Sequence, residues 1–443
     1  MRGPMRKSGF KARLSSIVKL LPAALVSLGA TLTFSTNALA AAGQLDKTFG
    51  NGGIFLAQNA SLNGSSATSV AIQSDGKIVV AGQAMSPRDG PQPAVVRLNP
   101  NGSLDTSFGK GGLAIADFDE GGGEMATGVI IQSDGKIVIG VSIGNADGVA
   151  ALALARFNAN GSVDTIFGNA GQLRLFEGGP NTAYLLQQPD GKLLVGGGLL
   201  MARVNAEGTL DTTFGQNGIA PLVGPASAIA LQSNGQILAV TSGNSFSQTG
   251  NGPGSGPSDG GAVRYNENGT VDITFGTLGR IASIVATSAA ALQGNGQIVA
   301  VGPIISKSFV APDNFPLPIR TSFGVARYNS NGSIDATFAR HGAALTSFGS
   351  ATPFAVPTSL AIEINGDIIV AGQAAQLPPS SFALARYTPT GALDTTFGSG
   401  GKVVTAFGAN AAAITAVALD SEGRLVAVGT VSTSIVVARY LTE

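Results

Sequence analysis

SLDTSFGKGG, residues 103–112, holds an aspartate, hydroxyls, a phenylalanine and a glycine-rich tail. Such a stretch is either a site or a corner, and its recurrence decides between them. Related hexapeptides stand at 45–50, 104–109, 163–168, 210–215, 271–276, 334–339 and 393–398. Their aspartates, Asp46, Asp105, Asp164, Asp211, Asp272, Asp335 and Asp394, are 59, 59, 47, 61, 63 and 59 residues apart. Self-similarity at this period is the signature of a repeat architecture.

Two further motifs run in phase. One is QSDGKIVV at 73–80, echoed at 132–139, 188–195, 232–239, 293–300, 363–370 and 420–427. The other is an apolar run ending in Arg97, Arg156, Arg203, Arg264, Arg327, Arg386 or Arg439. Each unit reads as four strands. In the second, MATGVIIQ and KIVIGVSI flank Asp134-Gly135, a hairpin signal because glycine supplies the positive φ of a tight turn. ALALARFN and GQLRLF are the third and fourth strands. The runs are nearly continuous in Val, Ile, Leu and Ala, which means that both sheet faces are covered. Seven such units predict an all-β fold, a seven-bladed β-propeller of four-stranded antiparallel blades. The first strand, 52–58, lacks partners of its own, and the last unit stops at its third strand, 434–440. Pairing these two closes the ring and removes two exposed edges.

Composition bounds the chemistry. Of 443 residues 63 are Gly, 12% are charged and none is Cys, so disulfides and thiolate chemistry are excluded. Residues 1–40 read as a signal peptide: Arg2, Arg6, Lys7, Lys11, Arg13 and Lys19 precede an apolar run over 20–34 and Ala38-Leu39-Ala40. That run is too short to span a bilayer. Cleavage after Ala40 leaves 20 basic against 26 acidic residues, a net charge of −6, over a single domain of 41–443. A mildly acidic surface disfavours nucleic acid, and no later segment spans a membrane. A monomer is expected.

The set LDxxFG, QxDGKIxVxG and ARYNxxG resembles the delta-60 repeat family, a bacterial group regarded as propeller-forming and largely of unknown function. The likeness covers about 44–440; Asp420 and Ala339 depart from the pattern. It implies an extracytoplasmic setting, often at the cell surface, and carries no catalytic residues.

Seven aspartates in one motif invite a reading as general acids or metal ligands. An identical residue at the same turn of every unit instead serves the turn. Each arginine precedes an aspartate by eight residues, which predicts pairs such as Arg97 with Asp105 and Arg386 with Asp394, and Arg439 with Asp46 across the closure. Phe49 and its counterparts are expected as wedges between blades. His341 is the only histidine, so no Ser-His-Asp set is assembled in the usual way. Asp117, Asp119 and Glu120 before Gly121-Gly122-Gly123 resemble no EF-hand loop. No metal and no cofactor are expected.

The Asp-Gly hairpins and the LDTSFG turns share one end of every unit. The other end varies: 82–93, 243–260 and 302–320 differ in length and composition. Binding is therefore expected there, to a protein or glycan, through Phe309, Phe315, Arg320, Phe246 and Arg88. A secreted enzyme acting on polysaccharide at the channel, with Glu124, Glu177 or Asp117, and a structural envelope protein are the alternatives.

Overall fold

The computed structural model describes residues 41–57, 62, 64–86, 90–118, 123–144, 150–177, 182–241, 260–306, 320–349, 353–375 and 379–443. The segment 1–40, read above as a signal peptide, lies outside them. Residues 40–443 group as one compact unit.

The described residues form strands and no α-helix. The first strand is β1 (Ile54–Leu56). β2 (Ser66–Ile72), β3 (Ile78–Ser86), β4 (Gly90–Leu98) and β5 (Leu113–Ile115) follow as one antiparallel sheet in chain order. So do β6 (Glu124–Ile131), β7 (Ile137–Gly144), β8 (Ala150–Phe157) and β9 (Gln172–Glu177). A third sheet holds β10 (Tyr184–Gln187), β11 (Leu193–Gly197), β12 (Leu200–Val204) and β13 (Ile219–Pro221). A fourth holds β14 (Ala226–Leu231), β15 (Ile237–Thr241), β16 (Gly261–Tyr265) and β17 (Arg280–Ala282). β18 (Ala289–Leu292), β19 (Ile298–Ser306), β20 (Arg320–Tyr328) and β21 (Ala343–Thr346) are next. One parallel bridge, Thr321 to Phe354, joins them to β22 (Phe354–Ile362), β23 (Ile368–Ala375), β24 (Ser381–Tyr387) and β25 (Lys402–Thr405) in an eight-stranded sheet. β26 (Ala412–Leu419), β27 (Leu425–Val431) and β28 (Ser434–Tyr440) close the order.

The chain ends meet. β1 runs antiparallel to β28, Ile54 opposite Ala438 and Leu56 opposite Val436. The paired strand is shorter than the 52–58 read from sequence, because Gly52 and Gly53 take φ of 64° and 101° and turn the chain first.

Each sheet packs on the next through its first strand: β2 on β6, β6 on β10, β10 on β14, β14 on β18, β18 on β22, β22 on β26, and β26 on β2. The continuous apolar runs follow from this. In β3, Val79 enters a cluster with Ile137 and Ile139 of the following sheet, whereas Ile78 and Val80 enter one with Val426 and Val437 on the other side. Both faces of a strand are interior, so neither alternates with polar residues.

Five of the first strands, β2, β6, β14, β22 and β26, also carry a bulge that the sequence reading did not find. Register slips between Ala67 and Ser69, and Thr68, the extra residue, donates its hydroxyl to Ala81 O of its own sheet (3.0 Å) and Ala126 O of the next (2.6 Å). Thr358 does the same toward Ile414 O (2.7 Å), and Thr415 toward Ala67 O (3.0 Å). The signal was a Thr five residues ahead of Gln73, Glu363 and Asp420. The bulge brings Ser66 O so close to Gly82 that a Cβ there would lie 1.8 Å from it, which reserves that mid-strand position for glycine.

Candidate functional site

The aspartates sit in a repeated latch. Asp105 Oδ1 accepts the amide (3.1 Å) and hydroxyl (2.6 Å) of Ser107, and Oδ2 accepts Nε of Arg97 at 2.8 Å. Lys77 Nζ stands 3.4 Å from the same oxygen. The guanidinium lies over Phe108, 4.4 Å from the ring centre, and this face-on contact adds to the pair. Burial alone would raise the Asp105 pKa, but the Ser107 bonds, then Arg97, bring it down to about 2. The other six motif aspartates are likewise held below the usual carboxylate range.

The eight-residue spacing showed the pair but not its third partner. Arg97 Nη1 donates to Ala159 O of the following unit at 2.6 Å, while Gly109 N donates to Asn160 O at 2.8 Å. Arg156, Arg203, Arg264 and Arg327 reach Ala206, Glu267, Ser330 and Pro389 in the same way. The last two copies draw on the chain ends. Arg386 Nη1 donates to Thr442 O, and Gly398 N to Ala42 O (2.9 Å). Arg439 holds Asp46 at 2.8 Å and Pro100 O at 2.6 Å. A carboxylate with both oxygens occupied and its pKa held down has no proton to donate near neutral pH, so each latch is suited to joining units.

The departures from the repeat keep the latch. Ala339 accepts φ of 45°, and its N–H still reaches Thr390 O at 2.7 Å. Asp420 binds Arg424 Nε at 2.8 Å. Both turns thus keep a hydrogen-bonded partner. His341 is exposed at φ of 55°, in a tail position that Gly52, Gly111 and Gly400 also fill but that Ala170, Asn217 and Leu278 hold at 51° to 53°.

One departure costs stability. Glu363 stands where five copies have Gln, 3.6 Å from Arg386 Nη1. Burial raises its pKa; Arg386 opposes this, and the charges of Asp367 and Asp394 add to it. A carboxylate whose folded pKa is raised destabilises the fold once pH exceeds its unfolded value. Glu363→Gln should thus raise the melting temperature at pH 7 by about 1–2 °C, the scale of about 1 kcal/mol in a large domain. The gain should vanish below pH of about 4, where both residues are neutral; calorimetry at the two pH values reads this out.

Of the residues expected to bind at the variable end, Phe309, Phe315, Phe246 and Arg88 lie outside the described residues. Arg320 is exposed at the start of β20, opposite Ser306. The tip of the glycine loop, 119–122, is also outside them. Glu124 is fully buried, and its Oε2 accepts the Phe118 amide at 3.4 Å. Asp117 is exposed and gives its carbonyl to Gln172 Nε2, while Glu177 is exposed at the end of β9. The first strands that follow one another around the fold carry Glu124 as their one carboxylate among the described residues, and their last residues are half-exposed Ile, Leu and Ala apart from Gln187. Among the described residues no group of three or more His, Cys, Asp or Glu is placed to hold a metal ion.

No curated protein matches the chain. Among solved structures it is similar to the N-terminal domain of Nup159 (10% identity, TM-score 0.44, covering 90% of this chain and 98% of that one). It is similar also to the polysaccharide lyase Uly1 (10%, 0.43, 85% and 90%) and to a glucose dehydrogenase (11%, 0.41, 88% and 99%). Likenesses of this size carry nothing about activity. The family model described as "Domain of unknown function (DUF5122) beta-propeller" matches residues 73–108, 132–167, 188–214, 320–338 and 365–397. With the repeated four-stranded sheets, this match makes the chain a β-propeller repeat protein, similar to a family whose function is unknown.

Proposed function

We propose that the chain is a secreted, seven-bladed propeller of the delta-60 repeat type that acts as a binding module without catalytic activity. The closed succession of first strands and the β1–β28 pair support the seven-blade count. The apolar run and Ala38-Leu39-Ala40 support export and cleavage after Ala40; the mature chain is proposed as a monomer in the periplasm, at the cell surface or outside the cell.

One observation carries the reading. The residues with the chemistry of acids and ligands, seven aspartates and seven arginines, are spent on joining units, whereas the units diverge at the opposite end. A rigid scaffold with variable loops is the usual ground plan of a recognition protein. The partner class is protein or glycan.

The test compares the mature chain with one lacking 306–318 on arrays of peptides and glycans, with and without calcium. Loss of at least one bound spot on deletion, at an unchanged melting temperature, is the expected result. Identical arrays for the two chains, or turnover of an arrayed glycan, would overturn the proposal.

A further inference from the structure

The repeat logic also exposes a place outside the variable loops where the units differ in polarity. The position that follows the FGxxG tail carries Ile54, Leu113, Gln172, Ile219, Arg280, Ala343 and Lys402 in the seven copies. Its side chain reaches back to the preceding unit: Gln172 donates to Asp117 O, and Lys402 Nζ to Ser347 O at 3.2 Å. Arg280 is exposed and, among the described residues, takes part in no ion pair or side-chain hydrogen bond.

Arg280 borders a cleft of about 890 Å³ that runs along the outer strand β17, from Val223, Thr241 and Gly261 to the turns at 274–277 and 331–334. Ligand pockets span roughly 300–1,000 Å³. Among the described residues no aspartate or glutamate lines it, so Arg280 is the charged group there. The Thr274 hydroxyl is committed to Asp272, and the Asn331 carbonyl oxygen to Ser333. The Thr277 hydroxyl and the Asn331 side-chain amide remain uncommitted among the described residues. Val223 and Ile281 give the walls an apolar face.

We propose that this cleft binds an anionic oligosaccharide. The guanidinium takes a uronate carboxylate in the two-bond geometry that arginine offers. Thr277 and Asn331 read neighbouring hydroxyls, and the aliphatic walls meet the C–H face of the sugar ring. The cleft borders the ends of β15 and β16, and its lining residues lie outside 306–318, so this proposal and the loop reading are tested by different changes.

Titration calorimetry of the mature chain with trigalacturonate, maltotriose and a triglutamate peptide tests it. Trigalacturonate should bind one to one, about tenfold or more weaker to Arg280→Gln, weaker to Thr277→Val, and undiminished by deletion of 306–318. Arg280 is exposed, so Arg280→Gln should melt with the parent. No binding of trigalacturonate, equal binding by Arg280→Gln, or equal affinity for maltotriose or triglutamate would overturn it.

Discussion

Removing residues 41–57 should lower the melting temperature by about 10 °C or more and leave a chain that associates. Three losses combine. Phe49 and Ala57 leave a fully buried cluster with Val426, Val428 and Val437, and removing a buried phenylalanine alone costs about 3–5 kcal/mol. Arg439 loses Asp46 as partner. β28 loses β1 and presents an open edge to other chains. Calorimetry and size-exclusion chromatography measure the two effects, and an unchanged midpoint with a monomeric profile would show that the β1–β28 pair contributes nothing to stability.

Arg439→Ala should destabilise by about 3 kcal/mol, the low end of the cost of breaking a buried ion pair. The substitution removes the nearer of the two cations at Asp46, leaving Arg424 Nη1 at 3.8 Å, uncovers the Phe49 ring and frees Pro100 O. Arg439→Lys keeps a charge but not the planar fork that serves Asp46 and Pro100 together, so it should fall between. Urea unfolding of the three chains orders them; equality of Arg439→Ala with the parent would refute the latch.

The latch also sets the response to acid. The motif aspartates have folded pKa values below their unfolded ones, so their stabilisation is present above about pH 4 and is lost as pH falls through the folded values. Asp105 loses its share near pH of about 2, and Asp211 is held lower still. Glu363 titrates in the opposite sense, which makes the unit built on β22–β25 the one whose stability rises first on mild acidification.

Much of this was legible in the residues, for identifiable reasons. A Gly after Asp at 75–76 and 134–135 reads as a hairpin because glycine supplies the positive φ that a tight turn needs. Asp105 lay close in sequence to its arginine, and an eight-residue separation across one turn leaves few geometries. The contacts that bind unit to unit left weaker traces. Arg97 finds the carbonyl of Ala159, 62 residues on, and a carbonyl is present at every residue, so no side chain announces it. Thr68 looked like any strand threonine, because a bulge is a property of two strands in register.

The sequence by itself determined the repeat, the four strands of each unit, the Arg–Asp spacing and the unpartnered first and last strands, since all of these are local or periodic. Only the tertiary structure decided that the arginine serves two units at once, that Ala42 and Thr442 supply the last copy of the latch, and that Glu124 is buried rather than presented to solvent. Those facts depend on which backbone atoms come within 3 Å across sheets, and that follows from how the sheets are packed, which no single strand encodes.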